Sequence, residues 1–433
     1  MRRIVFYLGL VGVLLLLPAR NSYYGSDPFL GPVDAQSILE NGSIYLDEYL
    51  KRDAIEYKNL FHIIQLPDGH FINKYPDGVS LLQVPFVAIA RYVFGMDMTR
   101  IRDNKRFQKV MAILIYLLLF WIFYRISLHF LDERIGAIVS FLFIWGSSIV
   151  GSNTLALWSH LFMILFASAV LWQIVRYEYG KGFNPYLMGI MLFLVFFVRP
   201  TGALFIISVF IYLLLKVRDL KVILKVALIS FLLLLAFFGY NYLVYGSILE
   251  PYYMSGTEFL GYGLRNAYCM MTSPSRGLLP FNPFLIVVLP AVVFVWKRLP
   301  REIAISLTVW IASLVLFIAF FWRIWWGGWA YGPRLLSELM PGFFILTLLV
   351  LKHYRRMLGW FIALAIAGFF INSINGLQNP YTFIPWHRIV DSAPDEVKPW
   401  FYCSWDANQI LASPYTNEMM RMRIERLKGE AGK

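Results

Sequence analysis

Long apolar runs separated by short polar stretches make up most of this chain. The runs lack the alternation of strands, and a bilayer core admits only helices or closed barrels, so each run is expected to be a helix. The predicted fold class is an all-α polytopic membrane protein with about 11 transmembrane helices. The expected spans are residues 1–20, 107–128, 135–151, 155–175, 186–199, 201–216, 223–243, 283–296, 303–322, 336–351 and 357–374.

The first run follows Arg2 and Arg3 and holds about sixteen apolar residues, which is near the lower length limit for a span. A cleaved signal peptide would show the same pattern. No A-x-A cleavage site follows, since the next residues are Pro18, Ala19 and Arg20. The sequence therefore favours a retained helix with a cytoplasmic N-terminus.

A long polar stretch, residues 21–80, follows the first run. It is predicted to form short amphipathic helices at 33–42 and 45–60, broken at Asn41-Gly42. Residues 79–95 are apolar but short and contain Pro85 and Arg91, so they are expected to lie in the membrane interface as a juxtamembrane helix. Acidic residues outnumber basic ones in this stretch, although the chain as a whole has a formal net charge of +13.

The composition agrees with an integral membrane protein. Hydrophobic residues make up 59% and charged residues 15% of the chain, against about 25% charged in soluble domains. Nucleic acid is not an expected partner, because the basic residues sit in short clusters between apolar runs and form no single patch. Two cysteines, Cys269 and Cys403, exclude a CxxC metal site. Whether they form a disulfide bond is left open.

Basic residues set the expected orientation. Clusters near 125–134, 176–181, 216–225, 297–301 and 352–356 all fall on one side if 79–95 does not cross the membrane. The cluster at 100–109 is then the exception, on the other side. The expected topology places the polar loop and the C-terminal tail outside, facing the periplasm or exterior of a bacterial inner membrane. The expected organisation is a transmembrane module at 1–375, with an external catalytic loop and juxtamembrane helices at 21–106, and a small external tail at 376–433.

Two aspartates near the first span are candidates for acid–base chemistry. Asp27 precedes Pro28, and an Asp-Pro turn just outside the membrane is the alternative interpretation. Asp34 has a similar alternative, as a first-turn residue favoured by the helix macrodipole. A carboxylate ionised at neutral pH can accept the proton of an attacking hydroxyl.

Single basic residues in apolar or Pro/Gly surroundings are candidates for holding a phosphate. Lys74 lies in NKYPDG and either snorkels at the interface or supplies a point charge. Arg199 lies between two apolar runs and either caps a helix or has a function. His160, at the start of a span, is more often structural.

Two expected outer loops place an arginine among glycine, proline and aromatic residues. One is SPSRG with Arg276, and the other is WWGGWAYGPR with Trp329, Tyr331 and Arg334. Glycine allows close backbone approach, aromatic rings suit the interface or stack on sugars, and arginine grips phosphate with two donors. An aromatic belt explains the tryptophans but not the arginine in each loop.

Several of these segments, taken in order, resemble GT-C type membrane glycosyltransferases, the superfamily of protein O-mannosyltransferases and lipid A aminoarabinose transferases with a bacterial mannosyltransferase-like domain. The segments are SDPFLGPVDAQSILENGSIYLDEY, NKYPDGVSLLQVPF, LALWSH, RPTGAL, SPSRGLLPFNP and WWGGWAYGPRLL, which together span most of residues 1–345. Relatives often carry an Asp-Glu pair at the first site. Here Pro28 follows Asp27, and Asp34 stands as the second acid.

The resemblance implies a glycosyltransferase that moves a sugar from a polyprenyl-phosphate donor to an envelope lipid, glycan or protein acceptor. It implies catalytic roles for Asp27 and Asp34. It also implies donor-phosphate contacts by Lys74 and Arg334, with Arg276 and Arg199 as further candidates. His160, Tyr75, Trp329 and Tyr331 are expected to line the site. No ligand spacing commits the chain to a cation, so a divalent metal is left open.

Two other functions fit parts of the pattern. A transporter or flippase of a lipid-linked sugar would explain the spans and the intramembrane arginines, but not a long acidic loop after the first span, and no paired broken helices are present. A structural subunit of an envelope assembly is the third alternative.

Overall fold

The structure, a computed structural model, describes residues 2–19, 26–57, 62–254 and 263–431, with side chains described for 3–19, 28–57, 62–252 and 263–428. The described chain is mainly helical, as the apolar runs predict. The first elements are α1 (Arg2–Leu16), α2 (Ser26–Asn41), α3 (Asp47–Lys51), β1 (Ile63–Gln65), β2 (Phe71–Asn73), α4 (Asp77–Tyr92), α5 (Ile101–Ser127), α6 (Glu133–Trp145), α7 (Ser148–Asn153), α8 (Ser159–Glu178) and α9 (Pro185–Val198).

The remaining helices follow in the same pattern of long apolar segments and short connecting turns. They are α10 (Ala203–Tyr212), α11 (Leu220–Tyr245), α12 (Pro251–Met254), α13 (Gly263–Thr272), α14 (Leu278–Phe281), α15 (Leu285–Val295), α16 (Arg301–Phe321), α17 (Met340–His353), α18 (Met357–Phe369), α19 (Ile384–Asp391), α20 (Lys398–Phe401) and α21 (Pro414–Ala431). Short 3₁₀ segments occur at Pro200–Gly202, Trp296–Arg298, Arg334–Leu339 and Trp405–Ala407, and π-helical segments at Leu213–Val217 and Phe370–Gly376.

Seven helical segments of the described chain are long and apolar enough to cross a membrane. They are Ile101–Ser127, Ser159–Glu178, Pro200–Val217, Leu220–Tyr245, Arg301–Phe321, Arg334–His353 and Met357–Gly376. Arg3–Leu16 and Pro185–Val198 are apolar but shorter. The runs expected at 135–151 and 283–296 form helices of 13 and 11 residues. The structure supports a polytopic helical protein, and the count of eleven spans is not confirmed.

One short helix, α6, ends where two backbones touch. A Cβ on Gly146 would lie 2.4 Å from the carbonyl oxygen of Ala365, and one on Gly368 would lie 2.1 Å from that of Gly146. Only glycine permits this approach of α6 to α18, as at small-residue helix contacts in membranes. The apolar run does not reveal this packing constraint.

The basic loops expected on one side do meet at one end of the helices. Lys216 forms an ion pair of 3.0 Å with Glu178. Lys352 donates a hydrogen bond of 2.9 Å to the Tyr179 hydroxyl. Arg355 lies 3.4 Å from Asp132, which caps α6 by accepting from Ile135. The connections after α5, α8, α10 and α17 therefore share one face of the molecule.

The polar loop at the other end folds as α2, α3, a hairpin and α4. The expected break at Asn41-Gly42 is confirmed, since α2 ends at Asn41 and Gly42 has φ +68°. The helix expected at 45–60 is reduced to α3 within residues 45–57, and residues 58–60 lie outside the described residues. The hairpin of β1 and β2 was not expected, and it pairs Ile63 with Asn73 in antiparallel register.

Helix α4 is amphipathic and packs against α2. Its buried face includes Val79, Gln83 and Val87, while Phe86 and Ile89 are exposed on the other side. At the C-terminal end of α4 and in the turn that follows, Tyr92, Val93 and Phe94 are exposed as well. The exposed apolar face agrees with the expected position in the membrane interface.

The C-terminal tail folds over the same end as α13 and α14. Cys269 of α13 and Cys403, just after α20, form a disulfide bond across 134 positions of sequence. Ser273 and Ser275 both donate hydrogen bonds of 2.6 Å to the carbonyl oxygen of Tyr402. The tail is thus joined covalently and by hydrogen bonds to the loop that carries Arg276.

Candidate functional site

Asp34 lies at the centre of the polar loop, at the contact of α2 with β2 and α4. Its Oδ2 accepts hydrogen bonds of 2.9 Å from Asn73 and from Ser80. Its Oδ1 has no hydrogen-bond partner in the described chain. Burial raises the pKa of Asp34 well above its ordinary range, and the nearby Asp77 carboxyl raises it further. One carboxyl thereby connects three elements of the loop.

Two further acids that the sequence did not single out lie beside it. Asp77, at the start of α4, accepts hydrogen bonds from the hydroxyls of Tyr240 and Tyr245 on α11. Glu250 is 1% exposed, and neither of its carboxyl oxygens has a partner in the part of the chain described. Burial raises the pKa of Asp77 to about 6 and that of Glu250 to about 8. Near neutral pH a carboxyl with a pKa of about 8 keeps its proton, and one with a pKa of about 6 is mostly ionised.

Asp27 lies in the first turn of α2, and its side chain is outside the described residues. The position of this turn is nevertheless fixed. Asn104 of α5 donates to the carbonyl oxygen of Phe29, Gln108 donates to Asn104, and the amide of Leu157 donates to Gln108, over 2.9, 2.6 and 3.1 Å. This buried chain connects the start of α2 to the residue before Trp158.

Arg334 stacks on that tryptophan. Its guanidinium carbon lies 4.4 Å from the centroid of the Trp158 ring. Its guanidinium makes no hydrogen bond or ion pair with any residue that the structure describes, and its Nε is buried. A planar cation held by cation–π stacking, with donors left over, can bind an anionic group from a ligand.

Arg199 and His160 meet at a buried carboxylate instead. Arg199 forms an ion pair with Glu338, and His160 Nδ1 lies 2.7 Å from the same oxygen. Arg199 also donates to Ser159 over 3.3 Å, and Thr201 donates to Glu338 over 3.4 Å. Each charged group here has a protein partner, so this cluster joins α8, the turn before α10 and the turn before α17.

Lys74 and Tyr75 lie on the hairpin side of the loop. The Tyr75 hydroxyl and His62 Nδ1 share a hydrogen bond of 2.8 Å. Burial, and then the charge of Lys74, lower the pKa of His62 to about 3, so its ring is neutral near pH 7. Tyr75 also packs on Tyr252, which in turn packs on Trp322. Tyr75 thus connects the polar loop to the segment after α16 that leads to Arg334.

Arg276, Trp329 and Tyr331 belong to the junction with the tail. Arg276 is 2% exposed and donates to Ser275, Gln409 and Gly328. Trp329 donates to Asp391 and stacks on His387. Tyr331 is fully buried and donates to the carbonyl oxygen of Ile371.

These pieces converge at one end of the helices. A Cβ on Gly78 would overlap the carbonyl oxygen of Phe197, so the residue after Asp77 touches backbone two positions before Arg199. The carboxyls of the polar loop, the Arg199 cluster, and the Trp158–Arg334 pair are therefore neighbours. Among the described residues no group of three or more His, Cys, Asp or Glu side chains could hold a metal ion.

The overall fold is similar to that of solved oligosaccharyltransferases. The archaeal oligosaccharyltransferase AglB from Archaeoglobus fulgidus, in complex with an inhibitory peptide and a dolichol-phosphate, matches 93% of this chain with a TM-score of 0.52 and 13% identity. The same enzyme tethered to an acceptor peptide with an NVT sequon matches 95% with a TM-score of 0.53 and 12% identity. The chain has the GT-C fold.

The likeness is one of architecture. The chain spans 59% of the length of these oligosaccharyltransferases. No protein family profile matches it, and no curated protein matches it. The identity of 12–13% shows the fold alone, so the chemistry must be argued from this chain's own residues.

Several residues of the candidate site could not be predicted from the sequence. Glu338 stands in RLLSELM, where one acid among leucines looks like an exposed helix position. Trp158 was noted only as part of LALWSH, and Asp77 and Glu250 were not singled out among the polar residues. An intramembrane acid near an intramembrane arginine was the available signal for the Glu338–Arg199 pair.

Proposed function

We propose that the protein is a glycosyltransferase that moves a sugar from a polyprenyl-phosphate donor onto an envelope lipid, glycan or protein. The observation that carries the proposal is Arg334. It is a half-buried cation stacked on Trp158, without an acceptor in the described chain, beside the start of the acid-bearing loop of a GT-C fold. An oligosaccharyltransferase of the same fold was solved with a dolichol-phosphate, which supports a lipid phosphate as the donor group.

Arg334 would bind the donor phosphate. As the bond from the anomeric carbon to the phosphate oxygen breaks, the leaving phosphate gains negative charge, and fixed cations stabilise it. Trp158 holds the guanidinium plane, so the two outer donors are oriented before the donor arrives. Lys74 on the opposite, hairpin side would supply a second positive charge.

Asp27 would act as the base. The acceptor hydroxyl or amine attacks the anomeric carbon while its proton moves to the Asp27 carboxylate. A lipid phosphate cannot leave the headgroup zone, and Asp27 follows the first helix by a few residues, so acceptor and donor meet at this level. Asp34 would hold α2 through its bonds to Asn73 and Ser80 and so position Asp27.

Arg199 and Arg276 have a supporting part in this proposal. Both guanidinium groups are bonded to protein acceptors, Arg199 to Glu338 and Arg276 to Gln409 and Gly328. His160 shares the Glu338 carboxylate. Their expected phosphate contacts stay predictions, and the donor assignment rests on Arg334 and Lys74.

The proposed location is the outer face of a bacterial inner membrane. The basic loops share one end of the helices, and the polar loop and the tail lie at the other. Positive loops favour the cytoplasmic side, and a disulfide bond persists in an oxidising space. Both arguments give the same orientation.

Mass spectrometry of glycolipids and envelope glycans tests the function in cells. Cells that lack the protein should lose one sugar from one glycan or lipid class and accumulate its lipid-linked donor. Arg334→Ala should reproduce this profile, whereas the control Arg323→Ala, an exposed arginine before the same loop, should not. Identical glycans in all strains would contradict the proposal, and donor retained on the inner leaflet would instead indicate a flippase.

A further inference from the structure

The loop that leads to Arg334 is rich in glycine. Three of its glycines have left-handed φ angles: Gly327 at 77°, Gly328 at 64° and Gly332 at 69°. Glycine loses more conformational freedom on ordering than other residues. Arg334 can therefore be oriented in advance only if something outside the loop holds this backbone.

Gln409 of the tail makes that contact. Its amide nitrogen donates to the carbonyl oxygens of Ala330 and Thr382, over 3.1 and 2.8 Å. Its amide oxygen accepts from the amide of Gly332, over 3.1 Å, and from Arg276, over 2.6 Å. The side chain is fully buried, so each bond is made away from competing water.

Arg276 and His387 hold the other half of the loop. Arg276 donates to the carbonyl oxygen of Gly328 over 3.2 Å and lies beside the rings of Trp386 and Tyr402. His387 Nε2 accepts from the amide of Ala330 over 3.2 Å, while Nδ1 lies 2.8 Å from the carbonyl oxygen of Phe383. This pattern fits a neutral imidazole that donates through Nδ1.

We propose that Gln409, Arg276 and His387 form a clamp by which the tail sets the direction of the Arg334 guanidinium. The three side chains reach the backbone of Gly328, Ala330 and Gly332, and the disulfide between Cys269 and Cys403 fixes the Arg276 loop to the same tail. They are positioning residues, since they hold the loop and leave the donor phosphate to Arg334. The inference rests on the proposed function, in which Arg334 binds that phosphate.

The clamp predicts a specific kinetic change for Gln409→Ala. Donor KM should rise about tenfold, as for loss of a well-oriented charged contact, while kcat changes less. Hydrogen exchange at the amides of 327–334 should accelerate, because Gly332 loses its acceptor. Gln409→Glu keeps the acceptor for Gly332 and Arg276 but loses the donors, so it should show a smaller change in both readouts, and it replaces Gln409→Ala if that variant fails to fold.

Asn417→Ala is the matched control. Asn417 is a buried tail amide that donates to the carbonyl oxygen of Tyr381 and does not contact the loop. Its loss should leave the exchange of 327–334 and the donor KM unchanged. If the loss of any buried hydrogen bond in the tail were enough to accelerate exchange at 327–334, this variant would show the acceleration as well.

A double-mutant cycle decides whether the clamp works through Arg334. Gln409→Ala should add no further rise in donor KM when Arg334→Ala is already present. A further, independent rise, or unchanged exchange at 327–334 in Gln409→Ala, overturns the clamp. If Arg334→Ala raises donor KM and Gln409→Ala does not, only the clamp fails. If Arg334→Ala alone leaves donor KM unchanged, the proposed phosphate contact fails, and the clamp's role fails with it.

Discussion

At the scale of single residues, the two aspartates Asp34 and Asp27 have different roles in the proposed function. Asp34 is buried and accepts two hydrogen bonds, from Asn73 and Ser80. Asp27 precedes Pro28 in the first turn of α2, whose position is set by the bond from Asn104 to Phe29. The proposed function assigns the base to Asp27 and the support to Asp34.

Asp27→Asn is expected to lower the transfer rate about 10²-fold or more, because it removes the base while keeping the size of the side chain. The protein should remain folded and in the membrane. Asp53→Asn, at an exposed position of the same loop, is the control. Transfer kinetics of the three variants decide the assignment: near-normal transfer in Asp27→Asn together with none in Asp34→Asn would make Asp34 the base.

Arg199 gives a second prediction at this scale, since its partner is a buried carboxylate. Arg199→Ala leaves Glu338 without its main counter-charge, and breaking a buried pair costs about 3–5 kcal/mol. The thermal midpoint in detergent should fall clearly. Arg199→Met combined with Glu338→Gln should recover much of the loss. An unchanged midpoint with a raised donor KM would place Arg199 at the donor phosphate instead.

At the scale of elements, the contact of α2, α4 and α11 gathers buried carboxyls whose pKa values are raised. The folded pKa values of Asp77, about 6, and Glu250, about 8, exceed the ordinary value near 4. Below about pH 4 both states are protonated, so the contribution to stability is fully present. It is lost as the pH rises through the folded values, because the folded state then holds more protons than the unfolded state.

Below about pH 6.5 this loss of stability is opposed by His62, whose lowered folded pKa makes stability rise with pH up to its ordinary value. The thermal midpoint should therefore fall as the pH rises from about 6.5 to about 8, where Glu250 is the group that loses its proton. Glu250→Gln should remove this fall, which the wild-type protein should show. Scanning fluorimetry across this range measures both. A midpoint that increases with pH over the same window would show that these carboxyls are ionised in the folded protein.

The helices and strands also show which structural features could be predicted from the sequence. The apolar runs predicted helices at every expected position, because a long run has few other structures available in a bilayer. The strands Ile63–Gln65 and Phe71–Asn73 were missed, since three residues are too few for a periodicity. Helix 45–60 was predicted too long within its described part, residues 45–57, where only Asp47–Lys51 is helical before a turn at Asp53 with φ 48°.

The site was predictable to a lesser extent, because its residues come together only through tertiary packing. Arg334 was singled out as a candidate from its glycine-rich, aromatic loop, but its stacking on Trp158 joins positions 176 apart in sequence. Arg276 has the same local signature and a different environment, beside the rings of Trp386 and Tyr402 and bonded to Gln409. Local composition cannot distinguish a cation directed at a ligand from one bonded inside the protein.

At the scale of the whole molecule, the two ends of the helices carry different groups. Lys216, Lys352 and Arg355 mark one end, and the polar loop and the disulfide mark the other. In intact cells, an impermeant maleimide should label Tyr415→Cys in the tail but not Arg218→Cys in the loop before α11, both of which are exposed positions. Labelling of Arg218→Cys alone would reverse the topology.

The central claim is that this chain transfers a sugar from a lipid phosphate with Asp27 and Arg334. Lipid extract from cells that lack the protein should contain the accumulated donor. We would add the purified protein in vesicles made from this extract, together with envelope material from the same cells, and follow the lipids by mass spectrometry. Wild-type protein should convert the donor to the free lipid phosphate, and Arg334→Ala and Asp27→Asn should not. A donor signal that stays constant with wild-type protein would contradict the account.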